Sequence, residues 1–174
     1  MKEMIRYGFI LGLICVLAAG LLAGVNALTR PKIAEQARIE ELLALKEIMP
    51  LAEKFIPVGL PESVLYYKAI DNHGKLLGFI FKASQKGYSS VIQTLAVMNL
   101  QGVISAVKVI SQNETPGLGT RITENKFTDQ FKNQDSLNLA GVQAITGATI
   151  SSRAVMNSVI KKAQEIRELT QHEK

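Results

Sequence analysis

The chain has 174 residues, 47% hydrophobic and 20% charged, with 20 Lys+Arg against 15 Asp+Glu for a net charge of +5. That balance excludes a disordered or collagen-like chain. A scattered excess of positive charge, with no Trp, six Phe and four Tyr, excludes a base-stacking platform for nucleic acid, and one cysteine and two histidines exclude an internal disulfide, a Cys-rich cluster and most transition-metal centres.

Residues 7–28 read YGFILGLICVLAAGLLAGVNAL, without a charge and with only Asn26 strongly polar. As a helix this stretch is about 33 Å long, enough to cross a hydrocarbon core of about 30 Å. It has no polar face, as an exposed soluble helix requires. Lys2 and Arg6 before the span put the short N-terminal tail in the cytoplasm and the rest outside, and Arg30 and Lys32 after it weaken that bias. The alternative is a cleaved signal peptide ending near Val25-Asn26-Ala27. The apolar run is longer than a usual signal core, which favours an uncleaved anchor. Cys15, in mid-span, reads as a small apolar packing residue.

Residues 31–49 alternate apolar and charged faces with a period near 3.6, and Pro31 suits a first helical turn. This helix continues from the anchor or starts just after it. Pro50, Pro57 and Pro61 break regularity, so residues 50–62 read as a connecting segment. Residues 64–71 and 75–83 form a hairpin about Asn72-His73-Gly74. Within the second strand, Leu76, Gly78 and Ile80 alternate with Leu77, Phe79 and Phe81, the pattern of a strand covered on both faces. Residues 90–99 and 103–110 form a second hairpin about Gln101-Gly102. A Gly/Pro-bearing loop follows over 111–122, then a short helix over 123–133 with Phe127 and Phe131 on one face. A short strand over 142–145 leads to a helix capped by Ser151 or Ser152 that runs to about Leu169, with Ala154, Val155, Val159 and Ala163 inward. The fold class is α+β: an N-terminal transmembrane helix followed by an antiparallel sheet flanked by helices. The domains are a tail and anchor over 1–28, a helix and connecting segment over 29–62, and a ligand-binding domain over 63–174.

Three segments carry polar chemistry. The loop Asn113-Glu114-Thr115-Pro116-Gly117-Leu118-Gly119-Thr120-Arg121 leaves a strand, and Gly117 and Gly119 let backbone approach a planar or phosphorylated ligand. An ordinary connecting loop is the plainer reading of that spacing. The Gly-x-Gly at 117–119 lacks both a third glycine and a parallel β-α-β unit, so a dinucleotide fingerprint is rejected. Asn113-Glu114-Thr115 also matches a glycosylation sequon, a weak signal. The second segment, Thr146-Gly147-Ala148-Thr149-Ile150-Ser151-Ser152-Arg153, crowds hydroxyls and small residues at a helix start, where unpaired amides and the dipole favour a phosphate. A capped strand-to-helix turn has the same composition. The third is the turn Lys86-Gly87-Tyr88-Ser89-Ser90, whose Tyr88 is either a ring-stacking residue or a plain surface aromatic. His73 lies in a hairpin turn and His172 in the C-terminal tail, so no Ser–His–Asp set forms, and no Gly-x-x-x-x-Gly-Lys loop exists. No residue reads as catalytic or metal-ligating.

In order, the chain shows one N-terminal span, Gly87-Tyr88, Glu-Thr-Pro-Gly-Leu-Gly-Thr at 114–120 and Thr-Gly-Ala-Thr-Ile-Ser-Ser at 146–152. Over essentially its whole length it resembles the FMN-binding domain family, and within it the G subunits of the Rnf (Rsx) ion-translocating electron transport complexes. The resemblance implies FMN joined by a phosphoester to Thr149, placed there by a separate flavin transferase that uses FAD. It implies Thr146, Gly147 and Ala148 as the recognition motif, followed by Ile150 and Ser151, and Glu114, Thr115, Pro116, Gly117, Leu118, Gly119 and Thr120 as a loop beside the flavin. Ser89-Ser90 depart from relatives that carry glycines there. The implied role is an electron relay on the outer face of the cell membrane. The complex couples ferredoxin:NAD oxidoreduction to Na⁺ or H⁺ translocation, and the chain alone has no complete activity. The implied partners are the other covalent-flavin subunit, the six-span subunits and the lipid bilayer, and no nucleic acid. Two alternatives stand beside this: the C subunit of the related Na⁺-translocating NADH:quinone reductase, which tends to be longer, and a cofactor-free membrane-anchored assembly protein.

Overall fold

The computed structural model describes residues 2–60 and 63–170, so His172 and Pro61 lie outside the described residues. The chain divides into two compact units, Met1–Leu43 and Ala44–Lys174.

The described residues of the first unit belong to helix α1 (Lys2–Ile48), which holds Pro31 in its interior and contains the apolar stretch. Its large apolar side chains are exposed, Phe9 to 74% and Leu21 to 74%. Among the described residues α1 is the one helix long and apolar enough to cross a membrane. Cys15 is exposed with its neighbours. Pro31 thus sits inside one continuous helix rather than at the start of a second, at the loss of one backbone hydrogen bond.

The second unit is built on a five-stranded antiparallel meander, in spatial order β1-β2-β3-β4-β5. The strands are β1 (Lys54–Leu60), β2 (Ser63–Ile70), β3 (Leu76–Lys86), β4 (Val91–Met98) and β5 (Ile104–Ser111). β1 lies in the segment expected to be a connection. It is an edge strand, where Pro57 opposite Tyr67 is tolerated because a missing N–H faces no second neighbour. The β2–β3 turn is held by Asp71, whose carboxylate accepts the His73 and Lys75 amides at 2.8 and 2.9 Å.

Both faces of the sheet are covered, as the β3 pattern requires. Phe79 and Phe81 point into a core with Ile92, Ala96, Ile104, Phe127, Phe131, Val155, Val159 and Ile166. Ile80, between them, points the other way, against Leu95, Val97, Ala69 and Leu45. Full burial of such side chains is worth roughly 1.5–3 kcal/mol each. The expected helix over 123–133 is shorter, α2 (Asn125–Thr128) plus a 3₁₀ turn at Asp129–Phe131, and its two Phe rings meet edge to face at 5.4 Å. The expected strand over 142–145 is absent: the Val142 amide goes to the Leu139 carbonyl, Gln143 to the Gln130 side chain and Ile145 to Ser152 Oγ. Those amides are satisfied locally, so this segment adds no strand to the sheet.

Helix α3 (Thr149–Thr170) starts two residues before the expected Ser151 cap. Ser151 and Ser152 are buried within its first turn and bond outward to other segments rather than cap it. Its inner face is as the spacing predicts, with Ala154, Val155, Val159 and Ala163 buried. Near its far end Arg167 pairs with Asp135 at 2.8 Å.

Candidate functional site

Three segments far apart in sequence converge on a cleft of about 480 Å³, within the roughly 300–1,000 Å³ range of small-molecule sites. Tyr88 supplies one wall. Glu114, Thr115, Leu118 and Gly119 supply the second. Residues 147–151, the start of α3, supply the third. Tyr88, Leu118 and Ile150 are 68%, 49% and 56% exposed, so the mouth is apolar. The floor is polar, with Glu114 and Ser151 buried.

Glu114 holds the three walls together. Its Oε1 accepts the Ser89 and Ser90 amides at 3.1 and 2.9 Å and the Ser90 hydroxyl at 3.3 Å. Its Oε2 accepts the Tyr88 amide at 3.1 Å and the Ser151 hydroxyl at 2.6 Å. Burial alone would raise the Glu114 carboxyl. The hydrogen bonds from Ser151, Ser90, Ser89 and Tyr88 outweigh it and hold the group below the usual glutamate value, ionised at neutral pH. Two glycines make room for this side chain. A Cβ on Gly87 would lie 2.8 Å from Glu114 Oε1, and one on Gly119 would lie 2.7 Å from Glu114 Cβ. Gly119 is therefore small for an internal carboxylate as well as for any ligand.

The third wall is a helix start with an open first position. Gly147 adopts φ +84°, a conformation few side chains tolerate, and turns the chain into α3. Ala148 is buried below it. Thr146 and Thr149 are exposed, and among the described residues neither hydroxyl has a partner. Arg153 is exposed one turn after Thr149, at the i+4 spacing that brings side chains together on a helix.

Nine of the thirteen expected residues thus line one cleft: Glu114, Thr115, Leu118 and Gly119 with residues 147–151. Pro116 and Gly117 lie in an exposed turn that Thr120 ties down, its hydroxyl accepting the Gly117 amide at 3.0 Å. Thr146 lines a separate cleft of about 270 Å³ with Arg121, Lys126 and Gln130. Tyr88, which the sequence leaves between a ring-stacking residue and a plain surface aromatic, also lines this cleft; nothing in the local sequence joins it to Glu114, 26 positions on. The Ser89-Ser90 departure proves compatible with the site, since both amides serve Glu114 and the Ser90 hydroxyl also accepts the Asn113 amide at 2.7 Å.

A ligand with an apolar ring and a phosphate fits this arrangement. The mouth offers apolar surface, and the helix start offers small residues, free hydroxyls and the positive end of a dipole. The FMN-binding domain family matches residues 87–164, and the RnfG N-terminal region matches residues 1–48. Fold, cleft and match together define a protein with an FMN-binding domain behind an N-terminal apolar helix.

The relatives narrow this further. The chain is 35% identical to the G subunit of the ion-translocating oxidoreductase complex of Methanosarcina acetivorans, over 91% of this chain and 92% of that one. It is 29% identical to the G subunit of the Na(+)-translocating ferredoxin:NAD(+) oxidoreductase complex of Acetobacterium woodii, over 97% and 94%. With the proton-translocating counterpart of Clostridium ljungdahlii the identity is 27%, over 90% and 88%. The chain belongs to this family of G subunits. Among solved structures, NqrC of Shewanella oneidensis shares the fold, with a TM-score of 0.51 and 20% identity over 64% of this chain and 65% of that one. The C subunit of the Na(+)-translocating NADH-quinone reductase of Parabacteroides distasonis gives 0.50 and 20%, over 60% and 62%.

Proposed function

We propose that this chain is the FMN-bearing G subunit of an Rnf-type complex, with FMN attached through its phosphate to the hydroxyl of Thr149. The observation that carries the proposal is the Thr149 side chain, exposed and unpartnered in the cleft at the first residue of α3. Attachment leaves one negative charge on the phosphodiester, which the amides of the first helical turn and Arg153 stabilise. Gly147 and Ala148 leave space for the phosphate, and Tyr88, Leu118 and Ile150 offer their apolar surfaces to the ring. Thr115, Gly119 and Ser151 complete the cleft around it. Thr146 faces the adjoining cleft, and Pro116, Gly117 and Thr120 shape the turn that presents Leu118. Bound flavin supplies one-electron transfer, and the protein sets its position and burial.

The partners follow from that role. The other subunits of the complex, including the second covalent-flavin subunit and the six-span subunits, give and take the electrons, and a flavin transferase matures the site from FAD. α1 anchors the chain in the cell membrane with the N-terminus cytoplasmic and the FMN domain outside. A covalent bond prevents loss of the flavin there. The complex couples ferredoxin:NAD oxidoreduction to translocation of Na⁺ or H⁺, as the names of the relatives suggest, and this chain performs no full turnover alone.

The test is intact mass of the denatured chain after export with a flavin transferase. A gain of one FMN less one water, mapped to the peptide holding Thr149, supports the proposal, and an unmodified mass contradicts it. Thr149→Val should abolish covalent flavin and leave the domain folded, while Thr149→Ser should retain partial labelling. Flavin that stays on Thr149→Val through denaturation would place the linkage elsewhere.

A further inference from the structure

An ionised carboxylate offers about four lone-pair sites, and Glu114 already receives five hydrogen bonds from its own chain. It is 4% exposed, with Gly87 and Gly119 pressed against it. Its capacity to accept from a ligand is used up. The segments that it joins nevertheless carry the exposed walls of the cleft: Tyr88 on the turn, Leu118 on its own loop, Thr149 and Ile150 on α3. Through Glu114 the turn is tied to Ser151 at the start of α3. We propose that Glu114 is a positioning residue for the flavin, a clip that sets the spacing between the Tyr88 wall and the α3 wall and so holds the ring. The inference rests on the reading of the cleft as the FMN site, and it assigns to Glu114 an action through Tyr88 and Ser151 rather than direct contact.

The chemistry of substitution separates this from a general contribution to folding. In Glu114→Gln the side chain keeps its size. With its carbonyl in the Oε1 position it still serves Ser89 and Ser90, but its amide then faces the Tyr88 N–H, donor against donor. The reverse orientation sets that amide against two backbone donors. Either way the turn is released on one side. Ser151→Ala removes only the tie to α3.

The full chain, exported with a flavin transferase, is compared as wild type, Glu114→Gln and Ser151→Ala. Intact mass reads attachment, the anisotropy of flavin fluorescence and the visible spectrum read how the ring is held, and thermal melting reads the fold. The wild type should carry one FMN, and the flavin on the labelled fraction of each variant should show a loss of anisotropy and a shifted band, larger in Glu114→Gln. A role in folding alone lowers the melting temperature and leaves the ring signals in place. Wild-type anisotropy and spectrum in both folded variants would overturn the clip, and if Glu114→Gln fails to fold, Ser151→Ala decides alone. A wild-type chain without FMN would overturn the flavin reading and the clip with it, so the wild-type mass tells the two failures apart.

Discussion

Helices α1 and α3 send their apolar side chains to different places. Over residues 7–28, α1 is apolar all round, and its side chains meet no protein cover. α3 has one apolar face, which packs under the sheet on Phe79 and Phe81, and a charged face in water. α1 is long and apolar enough for a bilayer to take the place of a core. For α3 the core fixes the helix, and a fixed helix can offer its first turn as half of a binding site. Anchoring asks only for length and apolarity, whereas a site asks for a helix start held in place by residues elsewhere in the chain.

Charges in the span should break this contrast most strongly. Leu13→Arg with Leu17→Arg places two charges near the middle of the apolar stretch, each costing about 2.5–3.5 kcal/mol at a helix centre. The double variant should leave the membrane fraction with the melting of its sheet-bearing unit unchanged, and retention in washed membranes would contradict the anchor. Next comes one substitution made in both helices. Ile166→Ala empties a buried site and should cost about 2–5 kcal/mol in denaturant unfolding. Ile14→Ala, at a side chain 56% exposed, should leave that measurement unchanged.

A smaller effect lies at the start of α3. The Glu114 carboxyl is depressed in the folded state, so its contribution to stability is complete above the unfolded value and is lost as pH falls through the folded one. Melting temperature should therefore decline in acid below about pH 4.3, and Glu114→Gln should flatten that part of the curve. An equal acid slope in both proteins would mean that another carboxylate is responsible. The smallest effect is expected at Arg153, where Arg153→Ala would remove the i,i+4 pair with the phosphate proposed on Thr149, worth about 0.2–0.5 kcal/mol. The rate of flavin attachment should fall about twofold while melting stays as in the wild type; an unchanged rate would assign the phosphate charge to the backbone amides alone.

Much of this architecture was legible in the sequence because it depends on near neighbours. Two hairpins and the inner face of α3 follow from periodicity and turn residues, each a property of ten or twenty consecutive positions. The misread segments depended on distant partners. Residues 54–60 carry a proline and look broken, yet they become β1 because β2 offers an edge to pair with. Residues 142–145 look like a strand, yet Gln130 and Ser152 take their amides first. Ser151 looks like a helix cap, yet its hydroxyl is taken by Glu114, 37 positions earlier.

By itself, then, the sequence determined the apolar span, the antiparallel class of the sheet and the two motifs that make the flavin reading specific, because hydrophobic period, turn chemistry and motif spacing are local quantities. Only the tertiary structure decided which of those residues share a cleft, that Tyr88 stands on its wall, and that Glu114 faces inward. A buried carboxylate must find its donors wherever the fold brings them, and here they come from a turn some 25 residues before it and a helix 37 residues after it.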